Sequence, residues 1–576
     1  MRCWPFFLLI AALGAQTQTG EVATREETPT FQSSVNLVRV PVVVRDKQGH
    51  AVGSLHKADF QLTERGKAQS VAQFAIEGGA VPKPAPQSDA QAKRQGEAAA
   101  ESSEVVFPTR FVAFVFDDVH LKSEDLANAR IAALQHIEQG ILPQERVALL
   151  TLSGKVSLEF TNDVTKFRET LMKIMPDPPP VHFPPASFYA ANQFVKNPGD
   201  EQARLELTSG STPETPNPAM PEVLRMQIYV TMDCLIVPDE VAGHIARATL
   251  REVANEGFGA ANNAFRVLDN IVRLLGSMPG DRVMILVSPG MYLPDDLQRD
   301  LSESIDRATR SGVIINTLDA RGVYTPDPAP VVPGCGLTSA QTAQLYAKYD
   351  FAGNSAQGMV LDDLAHGTGG TALAQNDFLA EFNRLANPPE YIYYLGFYPQ
   401  SLKPDGRYHE IKVTLANGKG LSVQARKGYW APARLEDSVT VTKREISEAV
   451  FSNNELRDLP LDIHTEYFRT SVDDASLTVT AHLDIRQLRL RKQDDRNRDD
   501  VTLVCSLFDG NGNYLTGIQT VVELRLKDQS VERQRNLGVT VDSNFDVKSG
   551  PYKIRVVVRD AEGRQMATAN SVVKVP

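Results

Sequence analysis

The residues best able to do chemistry sit directly after apolar runs. Phe111-Val112-Ala113-Phe114-Val115-Phe116 ends in Asp117-Asp118, and His120 follows two positions later. Two carboxylates and an imidazole this close could ligate a cation or act as acid and base. The plainer reading is that Asp118 and His120 cap and hydrogen-bond the neighbouring loops. Ser153-Gly154 and Ser288-Pro289-Gly290 also follow apolar runs, but neither serine lies in Gly-x-Ser-x-Gly, the sharp turn that exposes a nucleophile. Gly367-Thr368-Gly369-Gly370 lacks the Lys-Ser/Thr of a phosphate loop and reads as a turn into a strand. The ten histidines show no His-Glu-x-x-His or comparable zinc spacing. Asp362, Asp363 and His366 fall one helical turn apart, as on a solvated helix face. Tyr391, Tyr393, Tyr394, Phe397 and Tyr398 could form a sugar platform, but strand-core packing explains them more simply.

The elements that must position these groups are legible as periodic patterns. Val38, Val40, Val42 and Val44 alternate as in a half-buried strand, and residues 31–77 read as a small β domain. Residues 78–109 turn to Pro, Ala, Gln, Ser and charge, the composition of a flexible linker. From 110 to 432 buried apolar strands near 111–116, 147–152, 282–287, 313–318 and 391–397 alternate with amphipathic helices. That alternation predicts a parallel-rich sheet with helices on both faces. Irregular stretches near 176–240 and 321–355 read as insertions, and the long helix from about 238 to 278 as weakened at Gly257 and Gly259. Beyond 453 the period becomes two, as in Leu477, Val479, Ala481, Leu483 and Ile485, and 453–576 reads as an immunoglobulin-like β-sandwich. Val44 to Gly49 and Val558 to Gly563 both put a charged turn after a strand, a faint echo that shared hairpin chemistry explains equally well.

Composition sets outer limits. With 60 basic and 71 acidic residues the net charge is −11, a poor footprint for nucleic acid. Met1-Arg2 and the short apolar run from Cys3 to Gly14 read as a secretory signal ending near residue 15. No later apolar run is long enough to span a bilayer, so stable membrane insertion is not expected. An exported product keeps Cys234, Cys335 and Cys505. Cys505 lies in a strand pattern and should be a buried thiol. A Cys234–Cys335 disulfide and two free thiols are both open.

Val42-Val43-Val44-Arg45-Asp46-Lys47-Gln48-Gly49, Asp59-Phe60, Gln69, Asp117-Asp118, Ser288-Pro289-Gly290, Thr368-Gly369-Gly370 and Lys427-Gly428-Tyr429 occur in this order. In that order they resemble the acidobacterial VWFA-related domain family, exported bacterial proteins with a von Willebrand factor type A-like domain. The resemblance covers about residues 31–432. It implies a doubly wound, Rossmann-like type A domain and, by analogy, adhesion or protein interaction. Many type A domains hold Mg²⁺ through Asp-x-Ser-x-Ser, a Thr on a second loop and an Asp on a third. Here Asp117 matches the first Asp, Val119 and Leu121 stand at the serine positions, Pro289 at the third-loop Asp, and Glu256 to Ala261 contain no Thr. No conventional metal site is therefore expected, and Asp117 is the residual candidate ligand.

The expectation is a multidomain α/β plus all-β chain acting as an exported, non-catalytic interaction or adhesion-type protein. Its partner would be a protein or cell-surface ligand, in the periplasm, at the cell surface or outside the cell. Asp117, Asp118, His120 and Ser288 would line a ligand-binding crevice at the strand ends, with no cofactor. An exported hydrolase using the same crevice and a structural envelope component are the alternatives.

Overall fold

The computed structural model describes residues 21–27, 38–47, 50–78, 107–177, 186–196, 221–323, 340–386, 391–399, 407–416, 418–431, 438–452, 456–471, 473–563 and 565–576. The expected signal (1–15) and nearly all of the expected linker lie outside them. The protein is a mixed α/β molecule with several sheets. Its described residues fall into two compact units, one within Ser33–Arg444 and the other drawn from Met1–Gln32 and Glu445–Pro576.

The first unit centres on a six-stranded sheet. Arg110–Phe116 runs parallel to Glu145–Thr151 on one side and to Asp281–Ser288 on the other. Val313–Asp319 and then Ala372–Leu373 extend the sheet beyond Asp281–Ser288, and Ser157–Thr161 closes the opposite edge antiparallel. Counted along the chain, the spatial order is 3-2-1-4-5-6. The central strands are apolar on both sides because both faces are covered. Helices Ser123–Glu138, Val164–Leu171 and Phe378–Ala386 pack on one face around Phe114, Phe116 and Phe382. Helices Asp239–Gly276, Gln298–Arg310 and Ala340–Thr368 cover the other, around Phe111, Leu268 and Leu364. Asp163 caps Val164–Leu171 by accepting from the Thr165 and Lys166 amides.

Three features of this unit differ from the sequence reading. The Tyr391–Phe397 strand does not extend the parallel sheet. It runs antiparallel between Val38–Arg45 and Gln73–Gly78, while Tyr408–Leu415 pairs with Phe60–Glu64. The β domain expected at 31–77 is thus completed by strands from 391–430, which supply four of its eleven buried core residues, Tyr393, Leu395, Phe397 and Ile411. A buried network ties the two segments: Glu64 accepts from His409 Nδ1 at 2.7 Å and from the Tyr429 hydroxyl. Second, residues 340–368 form one continuous helix where an irregular insertion was expected up to 355. Third, Asp239–Gly276 is unbroken at its glycines. A Cβ at Gly257 would lie 2.6 Å from the Phe188 ring, so this glycine admits a packed neighbour while the helix runs on through it.

That neighbour belongs to a helical cluster built from the insertions. Phe188–Val195, Glu222–Leu235, the first half of Asp239–Gly276 and the start of Ala340–Thr368 share an apolar core including Phe194, Leu224, Ile228 and Leu250. Glu222 joins two of its members by accepting from Lys348 and Tyr349.

In the second unit a larger sheet, built on Arg496–Asp509, Tyr514–Leu526, Gly550–Asp560 and Met566–Val575, faces a three-stranded sheet of Leu461–Arg469, Asp474–Leu483 and Val539–Lys548 across one core. Cys505 is buried there as a free thiol, as its strand pattern predicts. One strand lies outside the expected 453–576 boundary. Val22–Glu27 pairs antiparallel with the edge of Tyr514–Leu526, from Val22 opposite Leu524 to Glu27 opposite Gln519. Its charged sequence, Val-Ala-Thr-Arg-Glu-Glu, hides it from pattern reading, because an edge strand is held mainly by its backbone.

Candidate functional site

The sheet order places a switch point between Arg110–Phe116 and Asp281–Ser288. The chain leaves these neighbouring strands in opposite directions, which opens a crevice at their carboxyl ends. Asp117 and Ser288 are the residues at those ends. Asp117 and Ser288 are both 0% exposed and Asp118 is 1% exposed.

Asp117 is closely engaged. Its Oδ1 accepts from the backbone amides of Val119 and His120, at 3.2 and 2.9 Å. His120 Nδ1 lies 3.0 Å from both carboxylate oxygens. The Ser288 hydroxyl donates to Oδ2 at 2.6 Å, and the Gly290 amide donates to Ser288 Oγ at 2.9 Å. A carboxylate offers about four lone-pair sites, and these donors fill them. Gly290 makes the turn possible: its φ is +85°, and a Cβ there would meet the Gln357 carbonyl oxygen at 2.1 Å. Burial alone would lower the His120 pKa, but the charge and hydrogen bond of Asp117 and the charge of Asp118 outweigh it and hold it above the ordinary imidazole value. The carboxylate lies between serine and histidine, so the histidine is placed as counter-ion to Asp117 and not as base to Ser288.

Asp118 points elsewhere. It accepts from the backbone amide of Ser153 at 2.9 Å and from the Ser153 hydroxyl, tying the ends of two neighbouring strands together. Of the four sequence candidates, Asp117, His120 and Ser288 therefore form one cluster, and Asp118 forms a separate link beside it. Ser153 was noticed only as a failed nucleophile; no spacing rule connects it with Asp118. Also unforeseen is Asp319, at the end of Val313–Asp319, paired with Arg321 at 2.6 Å. Behind it Glu381 is 3% exposed, and neither of its oxygens has a hydrogen-bond partner. Burial, partly offset by the nearby Gln375 backbone amide, pushes its pKa up to about 7.

The residues do not fit the type A cation. Val119, Leu121 and Pro289 offer no side-chain oxygen, and the one matching carboxylate is taken up by four protein donors. Among the described residues no group of three or more His, Cys, Asp or Glu gathers as metal ligands. Thr368 binds the Ile315 backbone and a Cβ at Gly370 would strike the Ile315 carbonyl, so this Gly-rich segment is a packed turn. Cys234 is disulfide-bonded; Cys335, the expected partner, lies outside the described residues.

The helical cluster stands beside the crevice. Tyr292, on the loop that follows Ser288, accepts from Asn192 Nδ2 at 2.6 Å and meets Tyr189 edge to face at 5.5 Å. Lys196 pairs with Asp295 on the same loop at 2.8 Å. Among the described residues no helix is long and apolar enough to cross a membrane.

No family model matches the chain, and no curated protein matches its sequence. Solved structures overlap it only slightly. The conserved hypothetical protein BatB from Bacteroides thetaiotaomicron is 12% identical, with a TM-score of 0.23 over 48% of this chain and 98% of its own. A β-glucuronidase from Bacteroides uniformis is 9% identical, with a TM-score of 0.15 over 32% of this chain. A calcium-binding mutant of β-glucuronidase 2 from the same organism is 8% identical, with a TM-score of 0.15 over 21% of this chain. The chain spans only 15% and 19% of the lengths of the two glucuronidases. Overlaps this small say nothing about fold family or activity.

Proposed function

We propose that the chain is an exported, non-catalytic interaction protein built on a type A-like domain, whose strand-end crevice is held by its own side chains in place of a cation. The observation that carries this reading is the saturated Asp117 carboxylate, with His120 and Ser288 on it. The 3-2-1-4-5-6 strand order supports the type A-like assignment. The helical cluster, anchored through Tyr292 to the loop after Ser288, supplies a shaped surface beside the crevice. Binding would use that surface together with the slightly exposed His120 ring, and the two-sheet unit would serve as an immunoglobulin-like spacer or second contact module.

Hydrogen exchange of the full chain, with and without a cell-surface extract, tests the reading. Protection is expected in 188–195, 222–235 and 289–297. Unchanged exchange in all three with every extract counts against it. A panel of ester, peptide and glycoside substrates tests the rival hydrolase. Turnover lost in both Asp117→Asn and His120→Gln would overturn the non-catalytic assignment.

A further inference from the structure

We propose that Asp499, Asp560 and Gln565 form a calcium-binding site in the two-sheet unit. Asp499 lies on the Arg496–Asp509 strand, and Asp560 ends the neighbouring Gly550–Asp560 strand where the chain turns toward Met566–Val575. Asp499 is 2% exposed and Asp560 is 0% exposed, and their carboxyl groups lie within hydrogen-bonding reach of each other. One oxygen of each, Asp499 Oδ2 and Asp560 Oδ2, is buried without a hydrogen-bond donor. A third buried oxygen, Gln565 Oε1 from the far side of the turn, also has none. The remaining oxygens are accounted for. Asp560 Oδ1 accepts from the Glu562 and Gly563 amides at 2.9 Å, and Asp499 Oδ1 accepts from the Glu562 amide at 3.3 Å.

Asp560 Oδ2 and Gln565 Oε1 meet beside Gly563, and the Asp499 carboxyl lies against that of Asp560; acceptors gathered this way with no donor need a positive charge or a proton between them, since isolated buried carboxylates are strongly disfavoured. Among the described residues the neighbouring arginines are committed elsewhere. Arg525 bonds Asp500 and the Asp499 carbonyl, and Arg491 pairs with Glu562. Gly563 keeps the space open: a Cβ there would sit 2.2 Å from Asp560 Oδ2 and 3.5 Å from Gln565 Oε1. Two carboxylates and an amide carbonyl are hard oxygen donors. With waters they suit the larger, flexible coordination of Ca²⁺ better than the strict octahedron of Mg²⁺. A bound ion would pin the 560–565 turn to the 496–509 strand.

The test is calorimetric titration of the chelator-stripped full chain with CaCl₂, alongside Asp499→Asn, Asp560→Asn and Gln565→Leu. Asp499→Asn relieves the like-charge contact and should fold. Saturable Ca²⁺ heat is expected in the native chain, lost in both Asn variants and weakened about tenfold or more in Gln565→Leu. The unfolding temperature of the native chain should rise with CaCl₂ and that of the Asn variants should not. No saturable heat would overturn the proposal and leave a shared proton between the two aspartates. Heat that survives in the Asn variants would overturn it too, by placing the ion elsewhere.

Discussion

Glu381→Gln isolates the energetic consequence of a buried, unpartnered carboxylate beside the crevice. The side chain is 3% exposed, and its pKa is pushed from 4.5 to about 7. At about 1.4 kcal/mol per pH unit, that rise corresponds to about 3 kcal/mol. The sign follows from linkage. The folded pKa is raised, so this stability is fully present below pH 4.5 and is lost as pH rises through about 7. Glutamine keeps the shape but has no charge to desolvate, so its curve lacks this loss. The glutamine amide is also unpartnered and costs about 1–3 kcal/mol at every pH. The diagnostic is therefore the slope and not the absolute stability. Urea unfolding of both proteins from pH 4 to 8 should show the native chain losing about 3 kcal/mol relative to Glu381→Gln. Parallel curves would refute the reasoning, because they would mean that Glu381 finds a partner or water that the folded chain does not show.

Other perturbations follow from the same geometry. Tyr429→Phe removes a donor from buried Glu64 and should cost about 1–3 kcal/mol, read as a lower unfolding temperature. Gly257→Val should dislodge Phe188 and raise hydrogen exchange in 188–195 while leaving the Arg110–Phe116 strand protected, because the clash is confined to the helical cluster. His120→Gln should remove a stabilisation that is fully present below pH 6.5 and fades at higher pH as the imidazole loses its proton, so native and variant chains converge in stability on the alkaline side.

Much of the central sheet was legible because Arg110–Phe116 and Asp281–Ser288 are buried on both faces and read as unbroken apolar runs. The partner of Tyr391–Phe397 was not. Its pattern fits any half-buried strand, and its antiparallel neighbours Val38–Arg45 and Gln73–Gly78 lie more than 300 residues away in the chain. The crevice was legible at Asp117, His120 and Ser288, since strand ends in such sheets converge. That Asp118 turns aside to Ser153 depends on side-chain direction, which adjacency in sequence does not encode. The Asp499–Asp560 pair escaped because two acids in separate strands of an ordinary two-sheet pattern carry no spacing signal. Glu381 escaped for a similar reason, being one charge on a helix whose other face is solvated.

The central claim is that His120 and Ser288 hold Asp117 in place of a cation. Titration of the chelator-stripped chain with MgCl₂ tests it most directly. The Asp499→Asn background removes any contribution from the two-sheet unit, and Asp117→Asn runs in parallel. The account predicts no saturable Mg²⁺ heat that depends on Asp117. Saturable binding in the Asp499→Asn chain, abolished by Asp117→Asn, would contradict it and make the crevice a working cation site.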